Sequence, residues 1–195
     1  MNPPLILAST SRYRRELLQR LRLPFAVESP HTDETPLPDE APAELALRLA
    51  QAKAQAVAAQ HPEAVVIGSD QVADLHGQPI GKPGDFERAM QQLRRMSGQQ
   101  VVFQTAVAVV RRDRGFERAL LAPVTVTFRT LSDAEIERYL SLDQPFDCAG
   151  SAKSESLGVA LLERIDSDDP TALVGLPLMR TCRLLREAGI NPLSA

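Results

Sequence analysis

The segment LILASTSRYRRELL, residues 5–18, combines an apolar run, three hydroxyl residues and a helical pattern. Its first four residues predict a short buried strand, and the leucines at positions 17, 18 and 21 predict the apolar side of a helix. A strand that passes through a brief polar turn into a helix is typical of α/β proteins. This segment therefore sets the expected fold class.

Ser9, Ser11 and Arg14 lie where this strand meets the helix. Backbone N–H groups at a helix N-terminus attract anions, and two hydroxyls and a guanidinium in the same turn can contact the same anion. A serine before an arginine-rich helix also occurs as a cap that serves stability alone, so both interpretations stay open at this point. We identify the three residues as candidate phosphate ligands.

The rest of the chain continues the alternation of strands and helices. Further strands are predicted over residues 25–27, 64–67, 72–80, 101–110, 123–129 and 158–165, and further helices over residues 42–60, 85–96, 132–142 and 177–188. Residues 72–80 predict a hairpin that turns at His76-Gly77, and a polar turn at 112–115 joins a long antiparallel pair. Because there is no internal repeat and no low-complexity linker, we expect residues 1–195 to form a single α/β domain with two lobes.

The composition excludes several classes of protein. A chain of 195 residues with 44% hydrophobic and 24% charged residues is long and apolar enough for a substantial core, which excludes a disordered chain. The net charge of −3 argues against a nucleic-acid partner. No apolar run approaches the ~18 residues that span a bilayer, so no membrane contact is expected. Cys148 and Cys182 lack metal-ligand spacing and are predicted to be small buried thiols, which favours the reducing cytoplasm.

Lysine is scarce in this chain. Of the 22 basic residues only Lys53, Lys82 and Lys153 are lysines. Because arginine serves elsewhere, a lysine is a candidate for a role that suits a compact ammonium, such as contact with a single phosphate oxygen. Chance placement on a solvated face is the alternative for each. Lys53 is predicted to lie beside the apolar stripe of the helix over 42–60, which consists of Leu45, Leu49, Ala52 and Ala56.

Two carboxylates complete the set of candidate residues. Asp70 follows the strand predicted over 64–67, so we expect its carboxylate to emerge at the C-terminal end of that strand. Glu34 lies in the proline-rich acidic loop 31–42. A turn aspartate and a solvated loop acid are the alternatives. Taken with Arg14 and two of the lysines, the carboxylates predict a site for a divalent cation and a polyphosphate.

These residues together resemble the Maf family of nucleotide pyrophosphatases. The resemblance rests on LASTSRYRR at 7–15, Glu34, Lys53, GSD at 68–70, GKP at 81–83 and AGS at 149–151, in one order from about residue 5 to residue 192. It implies a two-lobed α/β fold with a mixed, elongated sheet flanked by helices and a nucleotide-binding cleft. It also implies hydrolysis of nucleoside triphosphates to the monophosphate and pyrophosphate, dependence on Mg²⁺ or Mn²⁺, and often a homodimer.

The resemblance assigns a role to each matching position. Asp70 corresponds to the general base, and Glu34 and Asp70 to the metal ligands. The phosphate-binding positions are Ser9, Ser11, Arg14, Lys53 and Lys82.

Three further positions indicate a branch of the family. Tyr13, Gln71 and Glu155 are similar to the branch that hydrolyses 7-methyl-GTP, whereas members that act on dTTP and UTP typically have arginine, threonine and glutamine there. An aromatic face and a carboxylate both attract the positively charged 7-methylguanine ring. That branch often has tryptophan at the position of Tyr13, so a weaker preference is expected here. The alternatives are a pyrophosphatase for dTTP, UTP or another modified nucleotide, and a nucleotide-sensing regulator of cell division.

Overall fold

A computed structural model describes residues 3–194 as an α/β fold built on one mixed sheet. Met1, Asn2 and Ala195, which the predicted domain includes, lie outside the described residues. The strands are β1 (Leu5–Ala8), β2 (Ala26–Glu28), β3 (Val65–Leu75), β4 (Gln78–Ile80), β5 (Gln100–Arg111), β6 (Phe116–Phe128) and β7 (Leu162–Asp166). The helices are α1 (Arg12–Gln19), α2 (Pro42–Ala58), α3 (Phe86–Met96), α4 (Asp133–Asp143) and α5 (Leu178–Glu187).

The sheet has the strand order β2-β1-β3-β5-β6-β7, with β4 paired to the end of β3. β1 runs parallel to β2 and β3, and the other pairs are antiparallel. The predicted fold class is confirmed, as are the hairpin at His76-Gly77 and the long antiparallel pair β5–β6. Both residues of the hairpin turn have positive φ, which the two-residue loop requires.

One long strand extends through both halves of the sheet. β3 pairs with β5 from Val66 to Asp74, whereas on its other side β1 ends opposite Gly68 and the antiparallel strand β4 ends opposite Ala73. Within the described residues, positions 69–72 of β3 therefore have a partner strand on one side alone. We call these four residues the open edge.

Three details of the sequence-based prediction were wrong. Asp70 lies in the middle of β3 and not at the end of a strand, because pairing with β5 continues the strand through the polar residues. Residues 157–161 form a 3₁₀ turn, since the backbone at Gly158 packs against that of Lys153, and β7 starts only at Leu162. Both cysteines are free thiols, as predicted, but they are half-buried and not fully buried.

The buried face of α2 is also shifted from the predicted stripe. Leu45 and Leu49 are buried as expected, but Ala52 and Ala56 are only half-buried, and the helix instead buries Ala46, Ala50, Ala54 and Val57. Lys53 lies on this buried face and not beside it. No helix within residues 3–194 has the length and apolar character needed to cross a bilayer.

The contact between α2 and β3 is exceptionally close at Gly68. A Cβ atom at this position would lie 2.2 Å from the carbonyl oxygen of Ala50 and 2.6 Å from the backbone nitrogen of Ala54. Both atoms belong to the helix backbone, so they cannot move without moving α2. Only glycine allows this approach.

We expect Gly68→Ala to lower the free energy of unfolding by about 2 kcal/mol or more, because the added methyl group must push α2 off the sheet. Gly81→Ala is the matched control, since nothing lies within 4 Å of its Cβ position. Urea denaturation measures both. Equal stability of the two variants would contradict the close contact.

Candidate functional site

A cavity of about 670 Å³ lies at the open edge of β3, between the start of α1, the buried face of α2 and the segments around residues 147–155 and 173–175. Every residue that the sequence predicted for the site lines this cavity. These residues are Ser9, Ser11, Tyr13, Arg14, Glu34, Lys53, Asp70, Gln71, Lys82 and Glu155. The structure thus brings together side chains from α1, α2, β3 and four connecting segments.

Lys53 joins the two candidate carboxylates. Its ammonium nitrogen lies 2.6 Å from Asp70 Oδ1 and 2.6 Å from Glu34 Oε1. Lys53 and Asp70 are both buried, whereas the Glu34 side chain is about half exposed. A buried ammonium is costly unless paired, and here two carboxylates pair with it.

Glu34 is held in its ionised form by this arrangement. Burial alone would raise its pKa, but the hydrogen bond from Lys53 and the charges of Lys53, Lys82 and Arg14 lower the pKa of Glu34 overall. Lys82 is exposed, so its ammonium reaches the cavity from the solvent side. The site therefore contains three cations and two carboxylates.

Ser9 and Ser11, at the start of α1, accept hydrogen bonds from the backbone and also line the cavity. Ser11 is the N-cap of α1 and accepts a hydrogen bond from the N–H of Arg14, and Ser9 Oγ accepts one from the N–H of Ser11. Each oxygen acts there as an acceptor, so each hydroxyl proton stays available for a ligand. The capping interpretation is confirmed, and it is compatible with anion binding at the same atoms.

Arg14 is anchored by one nitrogen. Its Nε donates a 2.8 Å hydrogen bond to the carbonyl oxygen of Gly175. Removal from water lowers the pKa of Arg14, while Asp70 and Glu34 act in the opposite direction and favour its charged form. The other guanidinium N–H groups remain for a ligand in the cavity.

The donor set suits a hard divalent cation. Within residues 3–194, no cluster of three or more His, Cys, Asp or Glu side chains forms a ready-made metal centre. Mg²⁺ needs no such cluster, because it binds through one or two carboxylates together with phosphate oxygens and water. Lys53 contacts one oxygen of Asp70 and one of Glu34, so the second oxygen of each fits a cation that arrives with a phosphate ligand.

Tyr13 already has a cation on its ring. The guanidinium carbon of Arg12 lies 4.7 Å from the ring centroid, and an Arg12 nitrogen donates to the Tyr13 hydroxyl at 2.7 Å. That hydroxyl lies 3.4 Å from Asp147 Oδ2, and burial raises the pKa of Tyr13. The ring of Tyr13 thus already binds one cation, the guanidinium of Arg12.

Glu155 and Lys153 have separate roles. Glu155 lines the cavity, and although the residue as a whole is exposed, removal of its carboxyl group from water raises the pKa of Glu155. Lys153 donates to the carbonyl oxygen of Asp143 at 2.9 Å, at the end of α4, and its ammonium lies 3.8 Å from Asp147. The third lysine thus stabilises a helix end.

The amide nitrogen of Gln71 is hydrogen-bonded within the protein and is not free to contact a ligand. Its amide nitrogen contacts Thr105 Oγ1 at 2.8 Å and the carbonyl oxygens of Ala172 and Leu173 at 3.0 Å each. The sequence reasoning missed this partner segment, residues 172–175, which we call the 172–175 turn. Its signal in the sequence is Gly175, three residues before the start of α5. In the structure this residue has a φ of 117°, which strongly favours glycine.

Comparison with known proteins gives consistent matches. The family model described as Maf-like protein matches residues 4–188. A protein of Polaromonas sp. named 7-methyl-GTP pyrophosphatase is 70% identical over 187 residues, which cover 96% of this chain and 85% of that protein. Proteins with the same name from Albidiferax ferrireducens and Bordetella pertussis are 63% and 61% identical, each over 98% of this chain and 96% of its own length.

We expect Lys53→Met to lower the free energy of unfolding by about 3 kcal/mol near neutral pH, because it leaves the buried Asp70 carboxylate without its counter-charge. The pKa of Glu34 is lowered in the folded parent, so its pairing stabilises the fold above the unfolded-state pKa and this stabilisation is lost as the pH falls. The deficit of Lys53→Met should therefore shrink in acid.

Urea denaturation at neutral and acidic pH measures this difference. Arg94→Met is the control, because it removes a cation from an exposed pair with Asp133 and should change stability little at either pH. A deficit for Lys53→Met that stays constant with pH would contradict the ion-pair account.

Proposed function

Because the chain belongs to the Maf family, we propose that it is a nucleotide pyrophosphatase that hydrolyses 7-methyl-GTP to 7-methyl-GMP and pyrophosphate. The observation that carries this proposal is the cavity, whose lining includes the cations Arg14, Lys53 and Lys82, the carboxylates Glu34, Asp70 and Glu155, and the ring of Tyr13. Relatives that are 61–70% identical over nearly the whole chain have the name 7-methyl-GTP pyrophosphatase.

The cations assign the phosphates to one part of the cavity. We propose that Arg14, Lys53 and Lys82 contact the phosphate chain together with the hydroxyls of Ser9 and Ser11. Hydrolysis between the α- and β-phosphates leaves negative charge on the departing pyrophosphate, and cations fixed around it favour that charge. Pyrophosphate is thus the expected leaving group.

Asp70 is the proposed general base. Its carboxylate is buried, and the hydrogen bond from Lys53 fixes one oxygen. The other oxygen has two lone pairs, so it can contact the cation with one and orient a water molecule toward the α-phosphorus with the other. Asp70 accepts a proton from the water while the oxygen of the water bonds to the α-phosphorus. The bond between the α-phosphorus and the oxygen that bridges to the β-phosphate breaks, and pyrophosphate leaves. A base that is positioned before substrate binds avoids the cost of ordering it during the reaction.

We propose that Glu34 and Asp70 also bind Mg²⁺ or Mn²⁺, which when bound supplies positive charge to the phosphates. Side chains of the protein position the carboxylates and bind the phosphates. Lys53 holds the carboxylates of Asp70 and Glu34 at a fixed separation, and Arg14 and Lys82 bind phosphate oxygens.

The base is proposed to lie against Tyr13 and Glu155. The 7-methylguanine ring is positively charged, so it gains from an aromatic face and from a carboxylate. The carboxylate also accepts hydrogen bonds from the N1–H and amino group of guanine, which a pyrimidine does not offer in the same geometry. Gln71 contributes indirectly, by its bonds to the 172–175 turn.

The substrate is tested with a panel of 7-methyl-GTP, GTP, dTTP, UTP and CTP. We expect 7-methyl-GTP to give the highest kcat/KM and pyrophosphate as the product, detected as orthophosphate only after a pyrophosphatase is added. Asp70→Asn should lower kcat by about 10²–10⁴-fold, because it keeps the shape of the side chain but removes the base. It also weakens the buried pair with Lys53, so thermal melts must show that the variant is folded at the assay temperature.

Two results would contradict the proposed chemistry. Release of orthophosphate without added pyrophosphatase would place the cleavage between the β- and γ-phosphates. Activity of Asp70→Asn close to that of the parent would assign the base to another residue. Binding of the nucleotides without any turnover would favour the regulator instead.

Recognition of the base is tested at Glu155. Glu155→Gln keeps the size of the side chain but removes its charge, so the ratio of kcat/KM for 7-methyl-GTP over dTTP should fall by about tenfold. Glu163→Gln on the exposed strand β7 is the control and should leave the ratio unchanged. An equal ratio in the parent and in Glu155→Gln would mean that Glu155 does not contact the base.

A further inference from the structure

Three polar side chains lie on one face of the sheet where their neighbours are apolar. Ser69 and Thr105 are completely buried, and Gln71, which lies opposite Thr105 in the pairing of β3 with β5, is half-buried. All three donate to carbonyl oxygens of the 172–175 turn. Thr105 and Gln71 donate to Ala172, Gln71 also to Leu173, and Ser69 Oγ lies 3.0 Å from the carbonyl oxygen of Gly175.

Ser69 differs from Gln71 and Thr105 because its acceptor, the carbonyl oxygen of Gly175, also accepts a hydrogen bond from Arg14. Its hydroxyl shares one proton between the carbonyl oxygens of Ala106, at 2.7 Å, and Gly175. The Gly175 oxygen has two lone pairs, and the second accepts the 2.8 Å hydrogen bond from Arg14 Nε. A continuous chain of hydrogen bonds therefore connects β5, Ser69, Gly175 and Arg14.

The backbone at Gly175 is shaped for this connection. Its φ of 117° is a conformation that L side chains rarely adopt, and it turns the carbonyl toward both donors. A Cβ atom at this position would lie 3.7 Å from Arg14 Nε, so the arginine side chain packs directly against the glycine. Both the conformation and the packing fix the plane of the guanidinium.

A fixed guanidinium plane matters for phosphate binding. Arginine has five N–H donors in a planar fork, and once Nε is bound to Gly175 the four terminal N–H groups can point only in a narrow range of directions. An arginine without this anchor must lose its rotational freedom when the ligand binds. The anchor therefore improves binding without touching the ligand.

We propose that Ser69 is a positioning residue, which acts through the Gly175 carbonyl to orient the guanidinium of Arg14 toward the phosphates. The inference rests on the proposed function only in that Arg14 contacts the phosphate chain. Asp70 is the neighbouring residue on the opposite face of the same strand, so β3 supplies the proposed base on one face and the anchor of a phosphate ligand on the other.

A double-mutant cycle tests the proposal, with Ser69→Ala, Arg14→Ala and the double variant in the full chain. The probe is inorganic tripolyphosphate with Mg²⁺, whose Kd is measured by calorimetry, because its binding requires neither a nucleobase nor turnover. Ser69→Ala alone should weaken binding about fivefold. In the Arg14→Ala background the same substitution should change Kd by less than about twofold, since its only route to the ligand is gone.

Thr105→Val is the matched control. It also removes one buried hydroxyl that donates to the 172–175 turn, but its partner is Ala172 and not Gly175. Any effect it has on Kd should be the same with and without Arg14. Thermal melts establish that each variant folds, and Ser69→Cys, which has nearly the volume of serine and a weaker donor, replaces Ser69→Ala in the cycle if the alanine variant does not fold.

The outcomes separate the inference from the proposed function. Equal losses for Ser69→Ala in both backgrounds would overturn the positioning role, even if the parent hydrolyses 7-methyl-GTP. A coupled cycle would support it, even if no nucleotide of the panel is hydrolysed. Tripolyphosphate binding that does not depend on Arg14 would overturn the inference at its premise.

Discussion

The ammonium of Lys53 between Asp70 and Glu34 is the interaction on which the site depends. The ammonium reaches Asp70 only because α2 lies directly against β3, and this approach requires the absence of a side chain at Gly68. A buried cation and a buried carboxylate are each costly alone, so the helix, the strand and the loop that carries Glu34 must assemble together. The ion pair between Lys53 and Asp70 is thus needed both for the packing of α2 on β3 and for the proposed chemistry.

The break in strand pairing along β3 explains why a cavity forms there. β1 ends opposite Gly68 and the antiparallel strand β4 ends opposite Ala73, so the four residues of the open edge have no partner strand on this side within residues 3–194. Alternation along a strand sends Asp70 to the side of α2 and sends Ser69 and Gln71 to the 172–175 turn. The open edge therefore places side chains from both faces of the sheet next to one cavity.

Much of this architecture could be predicted from the sequence, because it depends on local patterns. The strands and helices follow apolar periodicity and capping residues such as Ser132, whose capping box with Glu135 is present in the structure. The scarcity of lysine singled out all three lysines. Lys53 and Lys82 line the cavity, whereas Lys153 contacts the end of α4. Asp70 was identified, but its position within the strand was not.

What could not be predicted depends on contacts between distant parts of the chain. Glycine and serine before Asp70 are typical of a turn, and only the pairing with β5 makes them part of a strand. The role of Gly175 requires knowledge that Arg14, 161 positions away, packs against it. Periodicity predicted Ala52 and Ala56 for the core, but α2 is rotated so that Lys53 faces β3, since the ion pair requires it there.

The position of Arg12 determines how the proposed base pocket discriminates. A cationic ring that stacks on the same face of Tyr13 must displace the Arg12 guanidinium, so much of the cation–π attraction, about 0.5–1 kcal/mol at an exposed site, is exchanged rather than gained. The charge of Lys153 acts on Glu155, but its ammonium contacts the end of α4 and Asp147 and does not pair directly with Glu155. Burial that raises the pKa of Glu155 also makes its ionised form gain more from a positive ligand. In the proposed base pocket, we therefore expect charge recognition of 7-methylguanine to depend on Glu155 more than on Tyr13.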